Sequence, residues 1–544
     1  MFFSFIVLII FLTVVLGFAS FSKLIFYKEH IKTHNKDFIF GFFSLFLLSN
    51  LLNFFIPLEL VSFFVIIFGI LFFLFTIIKK KYDINFVSLI LFSLFFIFIS
   101  HEQGITYDSQ LYHLQTIQLN NNYKIIFGIG NLQPHYGMNS NWHTLMSLIF
   151  IEFLGVNLIF LGNIALFTFF FNEASNHLSI KNKSLPSIFL ILSIVYILSY
   201  SLFHPYQNGT ILNNLGSPET DTVSMIFFIF SVYLFFLFIN NKNEKNLNLL
   251  LLCVYLTVST KISYIGIVIL PIILILRGNF FNLKINCLIS FALFLWFVRG
   301  FISTGCLIFP ISSSCISSSW SMKLFEIENY KNIVQSFARD TPLRLKFTDF
   351  DHTLYSNDWL YPWFKEYFLE TEFLVISFIL VIINSLLIII TKIHNKNIKN
   401  LVSLKSNNLF VYIFFVINLL VWLRAPEIRF GYGMIIALVV FLVAILILNL
   451  NFNKKINLFR FGFISLLILM MIKNFNNLSN FHNLSFQRNY DYSEFKLIYS
   501  SNGYDFYKPN DIFCNSFVGF CTYQGYKVNV KNVNNYIFMT RWYK

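Results

Sequence analysis

Four short stretches of this sequence carry nearly all the side chains able to do chemistry. The first, His101-Glu-Gln-Gly-Ile-Thr-Tyr-Asp-Ser-Gln-Leu-Tyr-His113, follows abruptly on an apolar run ending at Ser100 and sets Asp108 five residues before His113. An amphipathic piece, 114–122, and a loop with His135, Asn139, Asn141, Trp142 and His143 come next. A segment that leaves a membrane and then lies along its surface would hold Asp108 within reach of a lipid headgroup. The competing reading is that Asp108 only caps a helix. The second stretch, Ser217-Pro-Glu-Thr-Asp221, sets Glu219 and Asp221 at the head of a predicted helix, where acidic groups also suit the helix dipole.

The third is Val258-Ser-Thr-Lys-Ile-Ser263, where Lys261 interrupts an apolar run. A cation there is costly unless it faces a cavity or an anion, or snorkels to the interface. The fourth, Trp422-Leu-Arg-Ala-Pro-Glu-Ile-Arg-Phe-Gly-Tyr432, sets Arg424, Glu427 and Arg429 at a helix-to-helix turn, with Arg299 at the same-side end of an earlier helix. Guanidinium forks suit phosphate oxygens; the alternative is an Arg–Glu pair within the turn.

The elements that must position these residues are membrane helices. Of 544 residues 57% are hydrophobic and 12% charged, against about 45–50% and about 25% in soluble domains. The mean hydropathy is +0.69. Repeated apolar runs of about 20 residues match a bilayer core, so the chain reads as an all-α polytopic membrane protein, which excludes disordered, collagen-like and small disulfide-scaffold classes. The net charge of +14 lies mostly in short loops, so it reports topology and not a nucleic-acid partner. The 74 phenylalanines are compositional and carry no functional reading.

Fourteen helices are expected, beginning with 2–21, 38–56, 59–78 and 84–100, continuing through 157–175, 186–203, 222–239, 247–260, 264–276 and 286–301, and ending with 372–391, 409–423, 431–449 and 458–472. Alternating them places the Lys-rich loops on one face and four longer segments, 101–156, 204–221, 302–371 and 473–544, on the other. The chain divides accordingly into N-terminal helices 1–83, a module 84–301 holding the first outer loop, an outer loop 302–371, C-terminal helices 372–472, and an outer cap 473–544. The cap has strand-like runs at Tyr526–Val530 and Tyr536–Met539 and is read as a small domain with β structure. Cys306 with Cys315, and Cys514 with Cys521, fall as close pairs on the outer face, where an oxidising compartment would make them disulfides. The sequence has no P-loop, no GxGxxG and no His/Cys cluster with zinc spacing. No internal or inverted repeat stands out.

An acidic first outer loop, a second acidic site before a later helix, a Lys and an outer Arg motif together resemble the GT-C superfamily of polyprenyl-phosphate-dependent glycosyltransferases. More narrowly, Tyr107–Gln118, Asn131-Leu132, Asn139–Trp142, Ser217–Asp221, Thr260–Ile262 and Pro426–Phe430 look like uncharacterised bacterial membrane proteins of the LIC_10190 type. The resemblance covers residues 84–435. It implies an inner-membrane enzyme whose site faces the periplasm and which moves a sugar from a polyprenyl-phosphate donor to a glycan or lipid acceptor. Asp108 would be the general base, with Glu219 and Asp221, and His113 beside them, at the second acidic site. Lys261, Arg299, Arg424 and Arg429 would hold the donor phosphate. No cofactor is implied with certainty; in some members the second acidic site holds a divalent metal. Four helices precede the first long outer loop here where the simplest members have one, and nothing after residue 435 has a counterpart. The rival readings are an O-antigen-type polymerase, a lipid or saccharide transporter or flippase, and a scaffold in which the carboxylates do not converge.

Overall fold

The computed structural model describes residues 2–27, 32–79, 82–100, 105–150, 157–178, 184–203, 211–212, 215–278, 282–340, 354–365, 406–449, 456–475, 495–511, 513–514 and 519–542. In hydrocarbon an unpaired backbone amide has no water to turn to, so long apolar runs close their hydrogen bonds internally as helices. The chain begins with α1 (Phe2–Tyr27), α2 (Phe38–Asn53), α3 (Glu59–Ile78) and α4 (Phe86–Ser100). A two-residue parallel pair, β1 (Thr33–His34) with β2 (Tyr82–Asp83), ties two of the turns together. Two short helices, α5 (Leu114–Asn122) and α6 (Asn141–Ile149), lie in the first long loop.

The middle of the chain holds α7 (Asn157–Leu178), α8 (Leu185–Phe203), α9 (Thr220–Asn241), α10 (Glu244–Thr260), α11 (Ile269–Leu276) and α12 (Leu283–Thr304). The side-chain oxygens of Asn243 and Asn282 cap α10 and α12 by accepting from the amides of Lys245 and Lys284 at 2.8 and 3.0 Å. Then come α13 (Leu324–Asp340), α14 (Leu360–Phe364), α15 (Ser406–Trp422), α16 (Ile428–Asn449) and α17 (Ile456–Phe475). Among the described residues, six helical stretches are long and apolar enough to cross a membrane: α1, α3, Leu185–Leu202 of α8, α9, α12, and Ile428–Ile445 of α16. Shorter apolar helices include α4, residues 262–276, Phe410–Trp422 and Gly462–Lys473. The helix expected at 372–391 lies outside the described residues.

The bundle has two chemically different ends. At one, buried Asp37 takes the ammonium groups of Lys23 at 2.6 Å and Lys245 at 2.9 Å, joining α1, α2 and α10. At the other, α2 and α12 finish beneath the loop 105–150, where Asn53 donates to the carbonyls of Asn120 and Tyr123, both at 3.0 Å.

Above that loop sits a small sheet region. An antiparallel hairpin, β3 (Phe495–Ser501) with β4 (Tyr504–Pro509), carries the short parallel β5 (Phe520–Cys521), and a second hairpin pairs β6 (Val528–Val533) with β7 (Tyr536–Arg541). Phe506, Phe520, Val530 and Met539 bury their side chains against Leu111, Leu119, Ile129 and Leu132 of the loop. Backbone bonds run from Phe127 N–H to the Ile537 carbonyl and from Met539 N–H to the Phe127 carbonyl. Both expected disulfides are formed, Cys306–Cys315 and Cys514–Cys521.

Candidate functional site

Three carboxylates meet beneath the sheet. Asp108 precedes a wide π turn over Ser109–His113; its backbone is helical and its side chain makes no capping bond, so the carboxylate is not spent on the helix. It instead accepts from Arg429 Nη1 at 3.1 Å. Glu219 stands at the head of α9, again without a capping side-chain bond, and Asp221 lies in the first turn. Carboxylate oxygens of Asp108, Glu219 and Asp221 all lie within 4.8 Å of one another.

Their positions are set by a chain of small hydroxyls and one amide. Thr106 Oγ1 donates to Glu219 Oε1. Ser217 Oγ donates to Ser109 Oγ at 2.7 Å and lies 2.9 Å from Thr106 Oγ1. Asn163, fully buried in α7, donates its amide to the carbonyls of Ser217 and Glu219 at 2.8 and 3.0 Å, which fixes the Pro218 turn. Thr106 and Ser109 lie within the His101–His113 stretch with no role of their own marked by the sequence, and Asn163 lies outside every motif. A lone Asn inside Leu161-Gly-Asn-Ile-Ala165 was the available signal, since amides inside apolar helices seek partners.

Two cations answer the carboxylates. The chain breaks after α10: Lys261 has an extended backbone and a short 3-10 turn, Ile262–Val268, follows. The break places Lys261 at a helix end and not mid-helix, with its ammonium on Asp221 Oδ1 and 4.1 Å from the centroid of Phe430. Arg429, at the head of α16, spans the cluster: besides Asp108 it lies 4.0 Å from Asp221 Oδ2 and 3.5 Å from Glu427 Oε1. The Arg–Glu pair within the turn therefore exists alongside the long-range contact.

Burial and the neighbouring negative charges of Asp108 and Asp221 push the Glu219 carboxyl up to about 8, so it carries a proton at neutral pH. Burial also disfavours ionisation of Asp108, but the Arg429 charge outweighs it and holds Asp108 below the usual carboxylate value. His113 is 1% exposed, with Nδ1 3.0 Å from Ser109 Oγ and 4.0 Å from Glu219 Oε2. Burial drives its imidazole down to about 4, so it is neutral. Lys261 and Arg429 thus face Asp108 and Asp221, and Glu427 shares Arg429 with them.

Two of the expected cations stand elsewhere. Arg299 is buried at the end of α12 and bonds the side-chain oxygens of Asn53 at 2.8 Å and Asn120 at 2.6 Å, which holds it away from the carboxylates. Arg424 is exposed in the turn after α15, and no carboxylate pairs with it among the described residues. Charge and a shared end of the bundle group these two with Lys261 and Arg429 in the sequence; among the described residues neither pairs with the three carboxylates.

Residues 1–436 match a family model described as a domain of unknown function, DUF8201. No curated protein and no solved structure matches the chain.

Proposed function

The chain belongs to the DUF8201 family, which assigns no chemistry, so we propose a function from the site itself: an integral-membrane glycosyltransferase of GT-C type. It would move a sugar from a polyprenyl-phosphate donor to a glycan or lipid acceptor. In this reading about fourteen helices cross a bacterial inner membrane and the capped end faces the periplasm. The observation that carries it is the convergence of Asp108, Glu219 and Asp221 within 4.8 Å, with Lys261 and Arg429 against them. A scaffold has no need to gather three carboxylates. A conduit would set its charges at mid-membrane, whereas these lie at helix ends beneath the sheet region.

The chemistry follows from charge. Asp108 is 24% exposed, the most accessible of the three, and is ionised at neutral pH. It takes the proton of the acceptor hydroxyl as that oxygen bonds the anomeric carbon. The bond from that carbon to the lipid phosphate breaks, and its electron pair leaves on the phosphate oxygen. Lys261 and Arg429 supply positive charge where that anion forms. Attack opposite the leaving group inverts the anomeric centre. Glu219, protonated and held by Thr106, keeps the second acidic site from repelling the phosphate.

The resemblance also implies a divalent metal in some members. The donor set fits one: three carboxylates lie close together and Glu219 Oε2 is buried without a hydrogen-bond partner. Asp108, Glu219 and Asp221 would hold the ion, Glu219 only after giving up its proton, and the ion when bound would add charge to neutralise the leaving phosphate.

The test is transfer of radiolabelled sugar from polyprenyl-phosphate donors by membranes containing the wild type or Asp108→Asn at matched expression. Loss of about 100-fold or more in the variant is expected, the share of a positioned base. Equal transfer by both would remove Asp108 from the reaction. No transfer from any donor would overturn the transferase reading and favour transport.

A further inference from the structure

Beside Asp108 the first outer loop meets the cap in a group of aromatic rings. Tyr107, next to Asp108 in the chain, is 54% exposed, and its ring lies 5.4 Å from that of Phe513 in the cap. His135 gathers three more rings: Tyr112 of the π turn at 4.9 Å, Tyr330 of α13 at 5.0 Å and Tyr523 of the cap at 6.0 Å. The charge of Asp108 is felt at Tyr107, Tyr112, His135 and Tyr330, so these rings border one carboxylate. Burial drives the His135 imidazole down to about 4, and none of the six side chains is positively charged at neutral pH.

The two cap residues flank a disulfide. Phe513 precedes Cys514 and Tyr523 follows Cys521 by two residues, so the Cys514–Cys521 bond holds both on one lip. That lip is seated on the first loop. Tyr136 donates its hydroxyl to the Cys521 carbonyl at 2.8 Å, Gln115 donates its amide to the Gly519 carbonyl at 2.8 Å, and the Tyr523 N–H donates to Gln133 Oε1 at 3.4 Å.

One polar atom in the group is unspent. Tyr330 is 4% exposed, and its hydroxyl has no hydrogen-bond partner among the described residues. A buried phenol normally finds one. Rings with hydroxyl tips suit a ligand that is apolar on its faces and polar around its rim. A sugar ring is such a ligand: its C–H groups lie against the negative face of an aromatic ring while its hydroxyls reach the tips. A prenyl or acyl chain would leave those tips unpaired, and a phosphate would meet no cation among the six.

We propose that Tyr107, Phe513, Tyr523 and the Tyr330 hydroxyl form a binding site for a neutral sugar ring beside Asp108. Its cap residues lie outside the family match of residues 1–436. Its role rests on the transferase reading: the ring belongs to the acceptor, which is then a glycan and not a lipid.

The test reads binding without turnover. Fluorescently labelled full-length protein in phosphatidylcholine nanodiscs is applied to an array of neutral oligosaccharides, and the strongest binder is titrated. Saturable binding is expected. Tyr330→Phe removes only an unpartnered hydroxyl, so a packing role predicts unchanged binding, whereas this site predicts an unchanged or higher melting temperature with binding weakened about fivefold. Tyr523→Ala should weaken binding about tenfold, and Tyr523→Phe, which keeps the ring, should restore it. Tyr330→Phe carries the test if Tyr523→Ala fails to fold. No saturable binding of any oligosaccharide, or undiminished binding by either weakened variant, would overturn the site. The two readings fail separately. Sugar transfer that depends on Asp108, with no oligosaccharide bound, would leave a transferase with a lipid acceptor; oligosaccharide binding with no transfer from any donor would leave the sugar site without the enzyme.

Discussion

Gathering Asp108, Glu219 and Asp221 is unfavourable unless one gives up its charge, and burial selects Glu219 because Lys261 and Arg429 pair with the other two. This has a consequence for stability. In the unfolded chain the Glu219 carboxyl titrates near 4.5, and in the folded protein near 8. Between those values the folded state holds a proton that the unfolded state has released, so stability falls as pH rises through that window. Burial of His113, His135 and His143 acts the other way, since their lowered imidazoles add stability as pH rises toward 6.5, so the effect of Glu219 is read by difference: from pH 4.5 to pH 8 the melting temperature of the chelator-treated wild type should fall relative to that of Glu219→Gln. An identical slope in both proteins would mean that Glu219 is ionised in the fold.

At the scale of elements, most apolar helices were legible among the described residues, because an apolar run long enough to span has few alternatives to helix, whereas α13, amphipathic and inside the expected outer loop 302–371, was not. The break at Lys261 was legible too, since a cation inside such a run marks a place where the helix stops or finds an anion. Which anion was not: Asp221 lies 40 residues away, and no local pattern announces the pairing. The hairpin β3–β4 was missed although Asn502-Gly503 joins its strands with positive φ at both residues, the strongest short hairpin signal. How closely helices approach was also hidden. A Cβ added at Gly17 of α1 would collide with the Gly69 carbonyl oxygen of α3, so the two backbones touch there. Gly17→Leu should therefore force α1 and α3 apart and destabilise by about 1–3 kcal/mol, the usual cost of overpacking. Gly462→Leu is the matched control, because among the described residues nothing lies within 4 Å of a Cβ there. Equal melting temperatures for the two variants in detergent would contradict the close approach.

At the scale of the whole molecule, the sheet region is tied to the site by chain segments nearly 400 residues apart. Cap strands were expected at Tyr526–Val530 and Tyr536–Met539, and β6 and β7 lie there; what they cover was not legible, because a strand pattern says which side chains are apolar but not what they meet. The structure sets Val530, Ile537 and Met539 on Leu119, Ile126 and Ile129, and Tyr136 donates to the Cys521 carbonyl at 2.8 Å. Tyr112, beside His113 in the π turn, belongs to the same cluster. The loop 105–150 carries Asp108 and has few long helices of its own to hold it, so its order depends on this apolar contact. Ending the chain after Phe475 removes no residue of the carboxylate site, yet it uncovers that whole cluster. The shortened protein should show faster hydrogen exchange over residues 111–136 and unchanged exchange in α9 and α10, and sugar transfer should fall although Asp108, Lys261 and Arg429 are all present. Unchanged exchange in the loop would show that the bundle alone orders it, and the sheet would then have no part in positioning Asp108.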